Sequence, residues 1–144
     1  MLTQQEADIL LGLLKKLKKR YITFPSLGNE LKLDVDSLNG DENFTINVNR
    51  KGKLKPNKCT YLTICHRSTI LLRVDIEGPP HRNPDGLLIP CPHIHIYQEG
   101  FDDKWAFPLE QEIDADSNDL VDVLIKFLSY NNIQNIPLIE TKMF

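Results

Sequence analysis

Three of the chain's four histidines, His81, His93 and His95, fall within residues 73–97, together with Arg73, Asp75, Arg82 and Tyr97. Imidazoles move protons near neutrality, and guanidinium and carboxylate groups hold phosphates or orient imidazoles, so this density points to a site. Side chains alternate along an extended chain, so a strand over residues 92–98 places His93, His95 and Tyr97 on one face and Ile94 and Ile96 on the other. The preceding run alternates too, with Ile70, Leu72, Val74 and Ile76 on one face and Leu71, Arg73, Asp75 and Glu77 on the other. If the two strands pair, an arginine, a carboxylate and two imidazoles share a surface.

Two chemistries fit those residues. In the first, one imidazole is the base and another the acid of phosphodiester cleavage. Arg73 or Arg82 holds the phosphate through a forked guanidinium, and Tyr97 stacks on a base or donates a hydrogen bond. His93, His95, His81 and Asp75 complete that constellation, which needs neither metal nor cofactor. In the second, His93 and His95 ligate a metal from one strand face, with His81, Asp75 or Cys91 completing the set. Cys91, His93 and His95 share parity, but three adjacent same-face ligands rarely converge on one ion, which favours His81 or Asp75 as the third. A third reading makes the histidines ordinary cross-strand polar pairs or part of a pure binding surface. His66, beside Arg67, reads as a surface residue, and Trp105 and Phe107, with Phe101 nearby, as core fillers. There is no Gly-rich phosphate loop, His-Glu-x-x-His, Cys-x-x-Cys or nucleophile elbow, which argues against nucleotide-fuelled chemistry.

Several elements must position these groups. The connection 78–91 contains Pro79, Pro80, Pro84 and Pro90, and Asn83-Pro-Asp-Gly86 is a turn signal, so the loop is expected to be stiff and to aim His81 and Arg82. Thr3-Gln-Gln-Glu6 has capping-box spacing, and Ala7, Leu10, Leu11, Leu14, Leu17 and Tyr21 recur at helical steps, predicting a helix over residues 4–21. Leu31, Leu33 and Val35, then Phe44, Ile46 and Val48, read as strands, followed after a basic loop by one presenting Thr60, Leu62 and Ile64 inward. Further strands are expected at 70–77, 92–98 and 105–109. Asp116 offers an N-cap for a helix carrying Leu120, Val121, Leu124, Phe127 and Leu128, and 133–144 is ambiguous. The pattern predicts one α+β domain over residues 1–144. It would be an antiparallel sheet of five or six strands with an N-terminal and a C-terminal helix on one face and the polar residues on the other, open face.

A hydrophobic content of 41% with 26% charged residues suits a globular domain with a sizeable core. The net charge of -3 conceals a split. Residues 1–67 carry 12 Lys/Arg against 7 Asp/Glu, and residues 68–144 carry 5 against 13. Lys15, Lys18, Lys19 and Arg20 form one basic cluster, and Lys51, Lys53 and Lys55 another. Both are candidates for neutralising RNA phosphates, although helix ends and hairpin tips favour such residues without any ligand. The acidic stretch 102–122 would repel nucleic acid, so an RNA surface must be one-sided. No stretch approaches the roughly 20 apolar residues of a membrane span. Without a signal-peptide pattern, and with three cysteines expected to stay reduced, the chain reads as cytoplasmic. Oligomeric state is not legible.

The run HRNPDGLLIPCPHIHIYQEGFDDKWAFPL is similar to that of a small uncharacterised family associated with low-GC Gram-positive bacteria and their phages and mobile elements. The likeness extends over most of the chain. More distantly, an Arg-x-Asp strand followed by Pro-His and Pro-His-x-His resembles the TumE-type toxins of toxin–antitoxin pairs, regarded as RNA-cleaving. The matching positions are Arg73, Asp75, Pro80, His81, Pro92, His93 and His95. The gap from Asp75 to His81 is longer than in that pattern, and Ile94 stands where it has a further histidine. The resemblance implies a ribonuclease toxin with a separate cognate antitoxin, the acidic C-terminal part meeting a partner rather than RNA; joined to the imidazole chemistry above, the expectation is a small metal-independent endoribonuclease. The alternative is a non-enzymatic phage or mobile-element protein that binds and inhibits a host protein.

Overall fold

A computed structural model of the chain describes residues 1–52 and 55–141. Helix α1 spans Gln4–Gly12, and its start follows the capping box: Thr3 accepts from the Glu6 amide while Glu6 accepts from the Thr3 amide. It stops nine residues short of the helix expected over 4–21, because Leu13 turns extended and Lys15–Leu17 becomes strand β1. The free carbonyls at the helix end find a donor within the chain. Lys15 Nζ donates to the Leu11 and Leu13 oxygens at 3.0 and 2.9 Å.

The strands continue as β2 (Tyr21–Phe24), β3 (Glu30–Ser37), β4 (Asn43–Asn49), β5 (Thr60–Cys65), β6 (Thr69–Asp75), β7 (His81–Arg82), β8 (Leu88–Ile89), β9 (His93–Ile96) and β10 (Ala106–Pro108). A 3-10 turn at Leu109–Gln111, helix α2 at Leu120–Tyr130 and strand β11 at Leu138–Thr141 complete the chain. The fold is α+β. Its main sheet has seven strands rather than five or six, all antiparallel, in the order β1-β3-β4-β5-β6-β9-β10. Two small pairs stand outside it: β7–β8 within the proline-rich loop, and β2 with β11 in parallel, which resolves the ambiguous C-terminal segment.

Both helices feed one apolar cluster with the sheet, through Ala7 and Leu10 of α1 and Val123, Leu124, Phe127 and Leu128 of α2. On β5 the inward face is Tyr61, Thr63 and Cys65, not Thr60, Leu62 and Ile64. The reason is that the inward polar groups hold α2. The Tyr61 hydroxyl donates to the Leu120 carbonyl at 2.6 Å and the Thr63 hydroxyl to Asn131 Oδ1 at 2.6 Å, so their burial leaves no polar group unpaired. The cap of α2 is Asp119, which accepts from the amides of Val121 and Asp122, rather than Asp116. No helix among the described residues is long and apolar enough to cross a membrane.

Candidate functional site

Antiparallel pairing sets Arg73 directly opposite His95 and Asp75 opposite His93, so alternation delivers all four to one face at the β6–β9 junction. They converge on a single atom. Asp75 Oδ2 lies 3.1 Å from His93 Nε2, 3.3 Å from His95 Nε2 and 3.1 Å from Arg73 Nε. The Thr60 hydroxyl, opposite Asp75 on β5, donates to the other carboxylate oxygen at 3.0 Å.

The face is not open. The proline-rich loop folds over it as the β7–β8 hairpin, with the expected turn closed by the Gly86 amide on the Asn83 carbonyl and Gly86 at a positive φ of 91°. Asn83 clamps the hairpin to β10: its Nδ2 donates to the Ala106 carbonyl at 2.9 Å, and its Oδ1 accepts from the Ala106 amide at 2.8 Å. Beneath this cover the side chains of His93 and His95 are only 3% and 4% exposed, Asp75 is 14% exposed, and Arg73, at 41%, reaches the mouth. A cleft of about 340 Å³ remains, bounded also by Lys58, His81, Cys91 and Lys104.

Each imidazole is anchored at its far nitrogen. A carbonyl oxygen only accepts, so His93 Nδ1–H donates to Ile89 at 3.1 Å and His95 Nδ1–H to Asp103 at 2.8 Å. By the same logic His81 Nε2–H donates to the Lys104 carbonyl at 2.7 Å, which leaves its Nδ1 with the lone pair when the ring is neutral. The rings pack edge to face, His81 with His95 at 4.6 Å and His93 with His95 at 4.8 Å between centroids. Burial alone would raise the Asp75 carboxyl, but His93, His95, Arg73 and Thr60 outweigh it and hold the group well below the usual carboxylate range. Burial works against a charged His93, but the bond to Asp75 and the neighbouring Cys91 thiol prevail and raise it to about 10. His95 Nε2 is buried and within ion-pair distance of Asp75, yet out of line for a hydrogen bond, and has no such partner.

The family model of DUF6978, a family of unknown function, matches residues 2–133. The chain belongs to that family. No curated protein and no solved structure matches it. The DUF6978 match spans every strand of the main sheet and the whole cleft and leaves only β11 outside.

Of the residues singled out from the sequence, this DUF6978 chain brings together Arg73, Asp75, His81, His93 and His95. Arg82 does not join them: its guanidinium folds back on its own turn and donates to the Gly86 carbonyl at 2.7 Å. Tyr97 lies in the core, its hydroxyl donating to the Leu2 carbonyl at 2.7 Å. The Tyr97 amide still bonds the Leu71 carbonyl, but Leu71 is the extra residue where the β5–β6 register shifts, so β6 bulges there and the parity that governs His93 and His95 is lost at Tyr97.

The proposed RNA contacts divide. Lys15 is fully buried and cannot meet a ligand. Lys18, Lys19 and Arg20 are exposed, but they follow β1, five strand spacings from β9, or roughly 24 Å. Lys51 is exposed and paired with Glu30 at 2.9 Å, Lys55 is exposed, and Lys53 lies outside the described residues. Lys58, Lys104, Thr60 and Asn83 were missed as site residues. Thr60 carried a usable signal, since correct parity on β5 sets it beside Asp75, whereas Lys58 and Lys104 come from loops without periodicity.

Proposed function

We infer that the chain is a small toxin-like endoribonuclease that cleaves RNA at the cleft above Asp75. The observation that carries this reading is the convergence of three imidazoles on one cleft with Arg73, Lys58 and Lys104 at its edges. His81, on the half-exposed wall, takes the proton of a ribose 2′-hydroxyl at Nδ1. The 2′-oxygen bonds to phosphorus and the bond to the 5′-oxygen breaks, giving a 2′,3′-cyclic phosphate and a 5′-hydroxyl. Arg73 and the two lysines balance the charge on the phosphate oxygens. The floor of Asp75, His93 and His95 is too buried and too firmly anchored to swing, so it acts in place and supplies the proton for the departing oxygen. His93, raised to about 10 beside Asp75, is the ring that holds that proton at neutral pH. The resemblance to TumE-type toxins supports the same reading and implies a separately encoded antitoxin.

The test is incubation of purified protein with total cellular RNA and analysis of the fragment ends. Cyclic phosphate and 5′-hydroxyl ends are expected. His81→Ala should slow cleavage by about 100-fold or more, the usual worth of a general base, with little change in melting temperature because the ring is peripheral. A folded protein that leaves every RNA intact would overturn the reading in favour of a binding protein.

A further inference from the structure

The floor of the cleft is built as a receptor for a cation. We propose that Asp75, His93 and His95 bind one divalent transition-metal ion, of the zinc or manganese type, through Asp75 Oδ2 and the two Nε2 atoms. The three ligand groups present donor atoms within 4.8 Å of one another. Two edges of that triangle, 3.1 and 3.3 Å, already match the roughly 3.4 Å that separates ligands about 2.1 Å from a tetrahedral ion. The third edge, within 4.8 Å, closes by small tilts of the rings about their Nδ1 hydrogen bonds, without a swing of either side chain.

Three observations favour an ion over a bare polar cluster. Both imidazoles donate their Nδ1 hydrogen to a backbone carbonyl, of Ile89 and of Asp103, which turns each Nε2 toward the carboxylate, where a dication displaces the proton that His93 shares with Asp75. His95 Nε2, on a side chain 4% exposed, is a buried polar atom aimed into the cluster that makes no aligned hydrogen bond, its approach to Asp75 Oδ2 at 3.3 Å being an ion-pair contact only. Such an orphan costs about 1–3 kcal/mol unless a partner arrives. The ligands also come from two paired strands of a seven-strand sheet, so the chain has already met the ordering cost of binding.

Two imidazoles and one carboxylate select a transition dication over magnesium or calcium, which take oxygen ligands. Three protein ligands leave further positions facing the cleft for water or a substrate oxygen, the arrangement of a reactive rather than a structural site. Arg73 keeps Asp75 Oδ1, 3.3 Å from its Nε, when Oδ2 turns to the ion. Metal binding does not depend on the ribonuclease reading. Only its consequence does: a water on the ion becomes the proton donor to the departing oxygen.

The experiment titrates chelator-stripped full-length protein with zinc chloride and, separately, manganese chloride by calorimetry. Cobalt absorption reports the coordination sphere independently. One ion per chain is expected, with affinity lost by at least about 100-fold in His93→Ala and His95→Gln, and unchanged in His66→Ala, whose imidazole is exposed and remote. Circular dichroism of each variant verifies its fold, and the cobalt spectrum of wild-type protein decides the matter if a variant unfolds. Absence of binding by folded wild-type protein, or equal binding by a folded His93→Ala, His95→Gln double variant, would overturn the site. RNA cleavage by the same samples separates the two readings: a bound ion without cleavage removes the nuclease and keeps the site, and chelator-resistant cleavage without binding does the reverse.

Discussion

Lys15 shows how far a single residue can depart from its type. Its ammonium is fully buried, donates to Leu11 and Leu13 at the end of α1 and to Asn131 at the end of α2, and lies 4.8 Å from the centre of the Phe44 ring. One charge thus satisfies the carbonyl ends of both helices. Lys15→Met preserves the volume and strands three carbonyls, and should cost about 3 kcal/mol of unfolding free energy in urea titration. Burial also lowers the lysine from 10.5 to about 8. Between those values the unfolded chain binds more protons than the folded one, so this contribution to stability is complete above pH 10.5 and is lost as pH falls through 8. The wild type should therefore gain about 2 kcal/mol relative to Lys15→Met between pH 7.5 and 9.5. A constant difference would contradict that origin. None of this was legible, because a lysine amid leucines at helical spacing reads as the solvent side of a helix. Asp75, His93 and His95 were legible because two-residue alternation holds along β6 and β9, and Tyr97 was not because that alternation fails one residue past the strand.

Among the elements, the β7–β8 hairpin turns a sheet face into a cleft. Its prolines and Asn83-Pro-Asp-Gly86 turn announced a stiff loop, but not that the loop would lie back across the histidines, since the clamp is a tertiary contact between Asn83 and Ala106. Asn83→Ala leaves both polar groups of Ala106 unpaired and should destabilise the protein by about 1–3 kcal/mol. Hydrogen exchange at Ala106 should accelerate more than exchange in β4 and β5. Uniform acceleration would mean that the clamp is no more local than the core. Helix α1 was legible at its beginning and less so at its end, and α2 is capped three residues later than Asp116. The capping box fixes where α1 starts, whereas its stop at Gly12 depends on β1 pairing with β3, which local periodicity does not encode. On β5 the error was one of face. Thr63 and Tyr61 look outward by type and turn inward because α2 supplies their partners.

Across the whole molecule the charge split of the sequence gains a geography. The basic cluster after β1 and the cleft beside β9 occupy well-separated parts of the main sheet, whereas Lys58 stands at the cleft itself. Exposed charges act over about a Debye length, near 10 Å at moderate salt. On the proposed nuclease reading, Lys58→Glu should therefore weaken RNA binding by roughly tenfold at about 0.1 M salt and flatten its salt dependence, while Lys19→Glu changes it less than about twofold. Equal effects in a fluorescence titration would place RNA along the whole sheet instead. The strand order carries another consequence. From β3 to β10 every strand of the main sheet lies beside the one made just before it, apart from the small hairpin between β6 and β9. During synthesis the floor of the cleft can assemble while residues 120–130 are still untranslated. The opposite face of that sheet, with Val48, Tyr61 and Val74, then has no α2 to cover it. A ribosome that stalls before Leu120 would release a chain with its chemistry nearly complete and its greasy side bare, a substrate for chaperones and proteases before it is anything else.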